Sequence, residues 1–271
     1  MRGEAAVRRV GPRELERLRD DLSGRDLAIV GQVAEFRLMS AGQIRAVHFA
    51  LSEHDNELAA ARACQRVLAR LVRDRLLVRL ERRVGGVRAG SASFVYGLAP
   101  VGQRVLALRG PRRRYHEPTV RFLEHTLAIT QLVVDMTTAA RRGLLDIVGC
   151  QAEPRCHRQV PGSGGRTLLR PDLFLVLGVG DFEHRWFVEL DRGNESLPVL
   201  VRKCRLYETY YRTGREQAAH GVFPRVCWIV PDDRHRDRLR AAIDHDRRLT
   251  DRLFVVTTSS RDLVTLTGGE P

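Results

Sequence analysis

Residues 77–98 hold two short runs with strand character on either side of Gly85-Gly86: Leu77-Val78-Arg79-Leu80-Glu81-Arg82-Arg83 before it, and Ser91-Ala92-Ser93-Phe94-Val95-Tyr96-Gly97-Leu98 after it. Alternating apolar and polar side chains around a glycine turn predict a β-hairpin. What precedes it has the helical period. Ser23 and Asp26 fit a capping box, and Leu27, Val30, Val33, Ala34 and Leu38 then fall on one helix face. Ser40 and Gln43 fit a second box, opening a short helix through Ile44 and Val47. Ser52 and Asp55 fit a third, before a long helix whose apolar side is Leu58, Ala61, Val67, Leu68, Leu71 and Val72. Three helices and a hairpin predict a winged helix-turn-helix over residues 25–112, behind a charged arm over 1–24 that is read as mobile or helical. After the hairpin another helix begins, with Pro100 in its first turn.

The hairpin's end resembles the Tyr-x-Leu-Thr-x-x-Gly pattern of known winged-helix modules. This chain reads Tyr96-Gly97-Leu98-Ala99-Pro100-Val101-Gly102, with Ala99 in place of the threonine. The run Gly110-Pro111-Arg112-Arg113-Arg114-Tyr115-His116-Glu117-Pro118 is read as a linker, and the pattern then changes. Over 113–271 the expected order is a helix from Thr119 to about Arg142, strands at 144–154, 166–178 and 183–192, a helix over Leu197–Tyr211, a strand at 225–231, a helix at 232–247 and a last strand at 253–258. This α-β-β-β-α-β-α-β succession is an α/β layer arrangement.

Charge divides along the same line. The formal net charge is +13. Residues 1–116 carry 23 Arg against 12 acids, +11, and the rest only +2. A basic excess confined to one part points to a polyanion as that part's partner, here double-stranded DNA. On the long helix, Arg62, Gln65, Arg66, Arg70 and Arg73 fall near one face, opposite the apolar stripe. Arg can fork onto guanine and Gln can pair with adenine in a major groove. Arg79, Arg82, Arg83 and Arg88 on the hairpin suit phosphates or a minor groove.

In the second part the acids sit at strand ends. Asp172 opens one expected strand, Glu189 and Asp191 close the next, and Glu124 lies on the helix before them. Asp172 and Glu189 at matching ends of antiparallel neighbours are candidate ligands for a divalent cation, with Glu124 approaching from the side. These residues resemble the PD-(D/E)xK nuclease superfamily, whose α-β-β-β-α-β core carries a helix acid, a Pro-Asp strand and a Glu-x-Lys strand. The chain departs from it at Glu189-Leu190-Asp191, where the lysine is missing. Lys203, on the following helix, is the only lysine among 46 basic residues. Arginine is effectively never deprotonated, whereas lysine is a compact charge that a site can tune. Glu124, Asp172, Glu189 and Lys203 are therefore the candidate catalytic set, expected to converge on one pocket. The resemblance implies Mg²⁺ or Mn²⁺ as cofactor.

The wider pattern of RPDLFLVL, WFVELDRGNES and VRKCRLYETYY behind a winged helix resembles the replication-relaxation family of actinobacterial plasmids and mobile elements, over roughly 25–231. The resemblance implies a role in plasmid replication or in relaxing plasmid DNA. It leaves two readings open: a metal-dependent nickase aimed by a winged helix, or a non-enzymatic regulator or initiator accessory on a degenerate nuclease-like scaffold. A homodimer, and other plasmid replication or transfer proteins as partners, also stay open.

No stretch approaches the roughly 18 apolar residues of a membrane span, and the N-terminus has no apolar signal core. Five irregularly spaced cysteines argue for reduced thiols, so a cytoplasmic, plasmid-associated location is expected. Cys150, Cys156 and His157 match no common zinc spacing, and Gly162, Gly164 and Gly165 lack the Lys-Ser/Thr end of a phosphate loop. His125 reads as a packing residue, Trp186 and Trp228 as core, and Tyr207, Tyr210 and Tyr211 as packing against a sheet.

Overall fold

The computed structural model describes residues 10–84, 93–107, 118–162 and 165–269, and only the backbone of 81–84 and 93. These residues form ten α-helices and three sheets. The chain divides into two compact units, residues 1–130 and 131–271.

In the first unit, α1 (Pro12–Asp20) lies in the charged arm. α2 (Gly24–Phe36) starts at the expected box: Ser23 Oγ accepts from the Asp26 amide at 3.2 Å, and Asp26 Oδ2 accepts from the Ser23 amide at 2.9 Å. The helix ends before Leu38, which was expected on its face. Arg37 turns to φ 68°, and Leu38–Ser40 becomes strand β1. A three-residue strand has too little alternation to be read locally. Its partner fixes it, with Leu38 opposite Gly97 and Ser40 opposite Val95. α3 (Ala41–His48) starts at the second expected box, Ser40 with Gln43. The third expected box does not form. Leu51–Glu53 is a 3-10 turn, and α4 (Glu57–Arg73) is capped by Asn56, whose Oδ1 accepts from the Ala59 amide at 2.9 Å.

Strand β2 (Leu77–Val84) pairs antiparallel with β3 (Ser93–Leu98) as expected, giving the sheet order β1-β3-β2. The turn at Gly85-Gly86 and Arg88 lie outside the described residues. α5 (Pro100–Val105) follows directly. Gly102 belongs there because a Cβ at that position would come within 2.3 Å of the Leu76 carbonyl oxygen. α5 also holds the arm: Arg19 donates to the Val105 carbonyl and Arg104 to that of Val10. The linker reading at 110–118 falls almost wholly outside the described residues. α6 (Val120–Arg141) comes next, and the division between units falls inside it. Leu123 and Leu127 pack with Leu38, Leu80 and Val95, and Gln43 Nε2 donates to the Leu127 carbonyl at 2.8 Å.

The second unit contains β4 (Asp146–Ala152), β5 (Arg158–Gly162), β6 (Gly165–Leu169), β7 (Leu173–Val179), β8 (Phe182–Leu190), α7 (Leu197–Tyr211), α8 (Arg215–His220), β9 (Arg225–Val230), α9 (Asp233–His245), β10 (Phe254–Thr258) and α10 (Asp262–Leu266). The expected strand at 166–178 is two strands. Arg170 and Pro171 interrupt it, Pro171 having no N–H to give a ladder, and β6 pairs back on β5 instead. The other five strands form one sheet, β10-β9-β8-β7-β4; β4, β7 and β8 run antiparallel, while β8, β9 and β10 are parallel. One face of the sheet carries Phe174, Phe187, Trp228 and Val256, buried under Leu200, Cys204 and Tyr207 of α7 and Leu239 and Ile243 of α9. No helix among the described residues is long and apolar enough to cross a membrane.

Candidate functional site

Two arrangements carry chemistry, one in each unit. In the first, α4 buries Ala60, Cys64, Leu68 and Leu71. At 3.6 residues per turn, Arg62, Arg66 and Arg73 fall within about 40° of one another on the opposite side. All three are exposed, as is Gln65 one step round. Arg79 on β2 is also exposed, its guanidinium 4.4 Å from the centre of the Phe94 ring. The side chains of Arg82 and Arg83 lie outside the described residues.

Arg70 is used differently from its neighbours. It sits at the border of the exposed face, and its Nη2 lies 2.6 Å from Asp26 Oδ1. Burial alone would raise the Asp26 carboxyl. Hydrogen bonds from Arg70 and from Ser23 outweigh burial and hold it below the ordinary aspartate range. Arg70 thus ties α4 to the capping box that opens α2.

In the second unit, β7 and β8 pair with Leu173 opposite Val188, so Asp172 and Glu189 meet at one end of the antiparallel pair. The Asp172 amide donates to the Val188 carbonyl, and its Oδ2 accepts from the Leu190 amide at 2.8 Å. Glu189 lies two residues from Phe187 and so faces α7. Four residues apart on that helix, Lys203 and Tyr207 both reach it. Lys203 Nζ lies 2.5 Å from Glu189 Oε2, and the Tyr207 hydroxyl donates to Oε1 at 2.5 Å. Glu189 is 1% exposed and Tyr207 0%, so the carboxylate is closed off between strand and helix. Burial pushes the Glu189 carboxyl up, with Lys203 pulling the other way. Burial works against the Lys203 charge too, but Glu189 and Asp172 outweigh it and hold the ammonium above the ordinary lysine range.

Asp191, at the position where the nuclease pattern has lysine, closes a turn. Its Oδ1 accepts from the Gly193 amide at 2.9 Å, and its own amide donates to the Ile229 carbonyl. Gly193 takes φ +76°, and a Cβ on it would come 3.2 Å from His235 Nε2. A cleft of about 300 Å³ opens beside this turn, bordered by Asp191, Glu195 and His235, and another of about 500 Å³ is lined by residues of α9 and β10. Asp172, Glu189 and Lys203 line neither. Glu124 lies on the half of α6 that belongs to the first unit, whereas the centre described here is built within the second. Among the described residues no three His, Cys, Asp or Glu side chains gather into a group able to hold a metal ion.

Tyr207 packs against the sheet as expected, with its ring 5.6 Å from that of Phe187, and its hydroxyl makes it a member of this centre as well. Its signal was the four-residue step from Lys203.

The model of the Replication-relaxation family matches residues 31–226, well over half of the chain. The chain belongs to the Replication-relaxation family. No curated protein and no solved structure matches it. The Replication-relaxation match takes in α4, the β2–β3 hairpin and the Glu189–Lys203–Tyr207 centre together. It ends inside β9, before α9 and β10.

Proposed function

We propose that this Replication-relaxation chain is a DNA-binding protein acting in plasmid or mobile-element replication or DNA relaxation, and that its first unit is a winged helix-turn-helix. In this reading α4 enters the major groove of double-stranded DNA, with Arg62, Gln65, Arg66 and Arg73 towards the base edges and Arg79 of β2 on the phosphates; Arg82, Arg83 and Arg88, which follow Arg79 in the sequence, add to the same basic charge. The observation that carries it is the exposed basic face of α4, set opposite its buried face in the part of the chain holding +11 of the +13 charge. A cytoplasmic, plasmid-associated location follows from that partner.

The second unit, in the same reading, is a nuclease-like scaffold that does not cut. Its order from α6 to β9 has the α-β-β-β-α-β succession of PD-(D/E)xK enzymes, with the β5–β6 hairpin and α8 inserted. The donor set does not fit Mg²⁺ or Mn²⁺: Glu189 has one oxygen on Lys203 and the other on Tyr207, and Asp172 Oδ2 is held by the Leu190 amide. A hard cation requires several converging oxygens with lone pairs to give.

Titration of a fluorescent duplex over a salt series tests the binding. Affinity should fall steeply, with a log–log slope of about −0.9 per phosphate contact; a salt-independent affinity refutes it. Supercoiled plasmid incubated with the protein, with and without Mg²⁺ or Mn²⁺, should stay supercoiled. Metal-dependent nicking that Asp172→Ala abolishes would establish the enzymatic reading instead.

A further inference from the structure

We infer that Lys203 is a built-in counter-ion, its ammonium holding the place at Glu189 that a divalent cation would need. This rests on the reading of the second unit as a scaffold that does not cut, and is independent of DNA binding by the first. Nζ touches Oε2 of a carboxylate that is 1% exposed, and the Lys203 side chain, 29% exposed, covers it from the helix side. Asp172 and Glu195 also act on this ammonium electrostatically, so it is the positive centre of a local acidic field. A metal ion at the same point would have to displace the ammonium and draw Oε1 off the Tyr207 hydroxyl.

The choice of residue agrees with this. The chain uses arginine at the other 45 of its 46 basic positions. A guanidinium is a flat fork that needs room for several acceptors, whereas an ammonium is a point charge with three donors. Behind Lys203 stands the Trp228 ring, its centre 5.9 Å from Nζ, and Trp228 lies opposite Glu189 in the parallel β8–β9 pair. A compact cation fits between ring and carboxylate. Tyr207 completes the arrangement by satisfying the other oxygen, so the buried acid is held by a monovalent charge and one hydroxyl.

The inference makes the second unit indifferent to divalent cations as long as Lys203 is present. Removing the ammonium should leave the Glu189 oxygen that it covers, beside Asp172 at the matching strand end, open to a cation. The test uses full-length protein freed of metal by chelation. Bound Mn²⁺ is measured by loss of the free-ion paramagnetic signal, and thermal unfolding is followed with and without millimolar Mn²⁺. Wild type should bind no Mn²⁺ at this centre and show no shift. Lys203→Ala should bind Mn²⁺ and melt higher with it, since a ligand held only by the folded state stabilises that state; Lys203→Ala with Glu189→Gln should lose both effects. Lys203→Met, which keeps the apolar stem, serves in the same way if the alanine variant does not fold. The inference is overturned if wild type binds Mn²⁺ and Glu189→Gln abolishes that binding, or if folded Lys203 variants bind none.

Discussion

Arg70→Ala separates reading DNA from holding the fold, because sequence alone puts Arg70 with Arg66 and the structure does not. Asp26 has 2% side-chain exposure, and Arg70 reaches it at 2.6 Å. Truncation leaves a buried carboxylate with only the Ser23 amide and hydroxyl as donors. A hydrogen bond to a charged group contributes about 1.5–3 kcal/mol. The Arg70 side chain is 35% exposed, and solvent screening moves the expectation to the lower end, about 1.5–2 kcal/mol. At roughly 2–4 °C per kcal/mol, the first unit should melt about 3–8 °C lower. The deficit should shrink in acid, where Asp26 is protonated. Its folded pKa is depressed, so its stabilisation is present above the ordinary aspartate value and lost as pH falls through the folded one. Calorimetry gives the melting shift, and anisotropy on a duplex selected from a random pool gives affinity well below the melting range. Arg70→Ala should bind within about twofold of wild type. Arg66→Ala should melt normally and lose about 1–3 kcal/mol of binding on the selected site. An Arg70→Ala variant that melts normally and loses affinity as Arg66→Ala does would show that Arg70 contacts DNA and does not brace Asp26.

Lys203→Met should destabilise by roughly 2–4 kcal/mol near neutral pH, towards the low end for a broken buried pair because Glu189 can take up a proton; an equal cost for Lys203→Arg, read by urea denaturation, would show that the ammonium's compactness matters. Gly102→Ala should cost at least about 1–3 kcal/mol, the range for overpacking, since its Cβ would lie 2.3 Å from a backbone oxygen that has no side-chain freedom to yield; an unchanged melting temperature would contradict the close approach.

The parts of the fold that sequence revealed were those fixed by local chemistry. The Ser23 and Ser40 boxes need only residues three apart, and both form. The parts it missed depend on partners far along the chain. Strand β1 exists because β3 lies beside it, and the break at Arg170-Pro171 matters because β5 is there to receive β6. Ser52-Asp55 matched a local rule as well as the other two boxes did, yet Asn56 caps α4. Two competent caps within one turn cannot be ranked until the helix's buried face, from Ala60 to Leu71, fixes where the first turn begins.

The same distinction governs the second unit's centre. Opposed strand ends follow from strand order, so Asp172 beside Glu189 could be expected from the antiparallel pair. The meaning of Glu189-Leu190-Asp191 could not, since a linear pattern treats Asp191 as a substitute for a catalytic lysine. In the fold Asp191 turns away to accept the Gly193 amide, and the sharp turn at φ +76° brings the chain past His235 into α7. That turn starts the helix that brings Lys203 and Tyr207 back over the strand. The aspartate in the lysine's sequence place and the lysine in the helix therefore belong to one device: the first shapes the return of the chain, and the second delivers the charge. If so, Asp191→Lys should not move the ammonium to a nuclease-like position. It should loosen the turn and weaken the Lys203–Glu189 contact, which would appear as a smaller stability loss when Lys203→Met is added to Asp191→Lys than when it is made alone. Additive losses in that double-mutant cycle would show that the turn and the ion pair are independent.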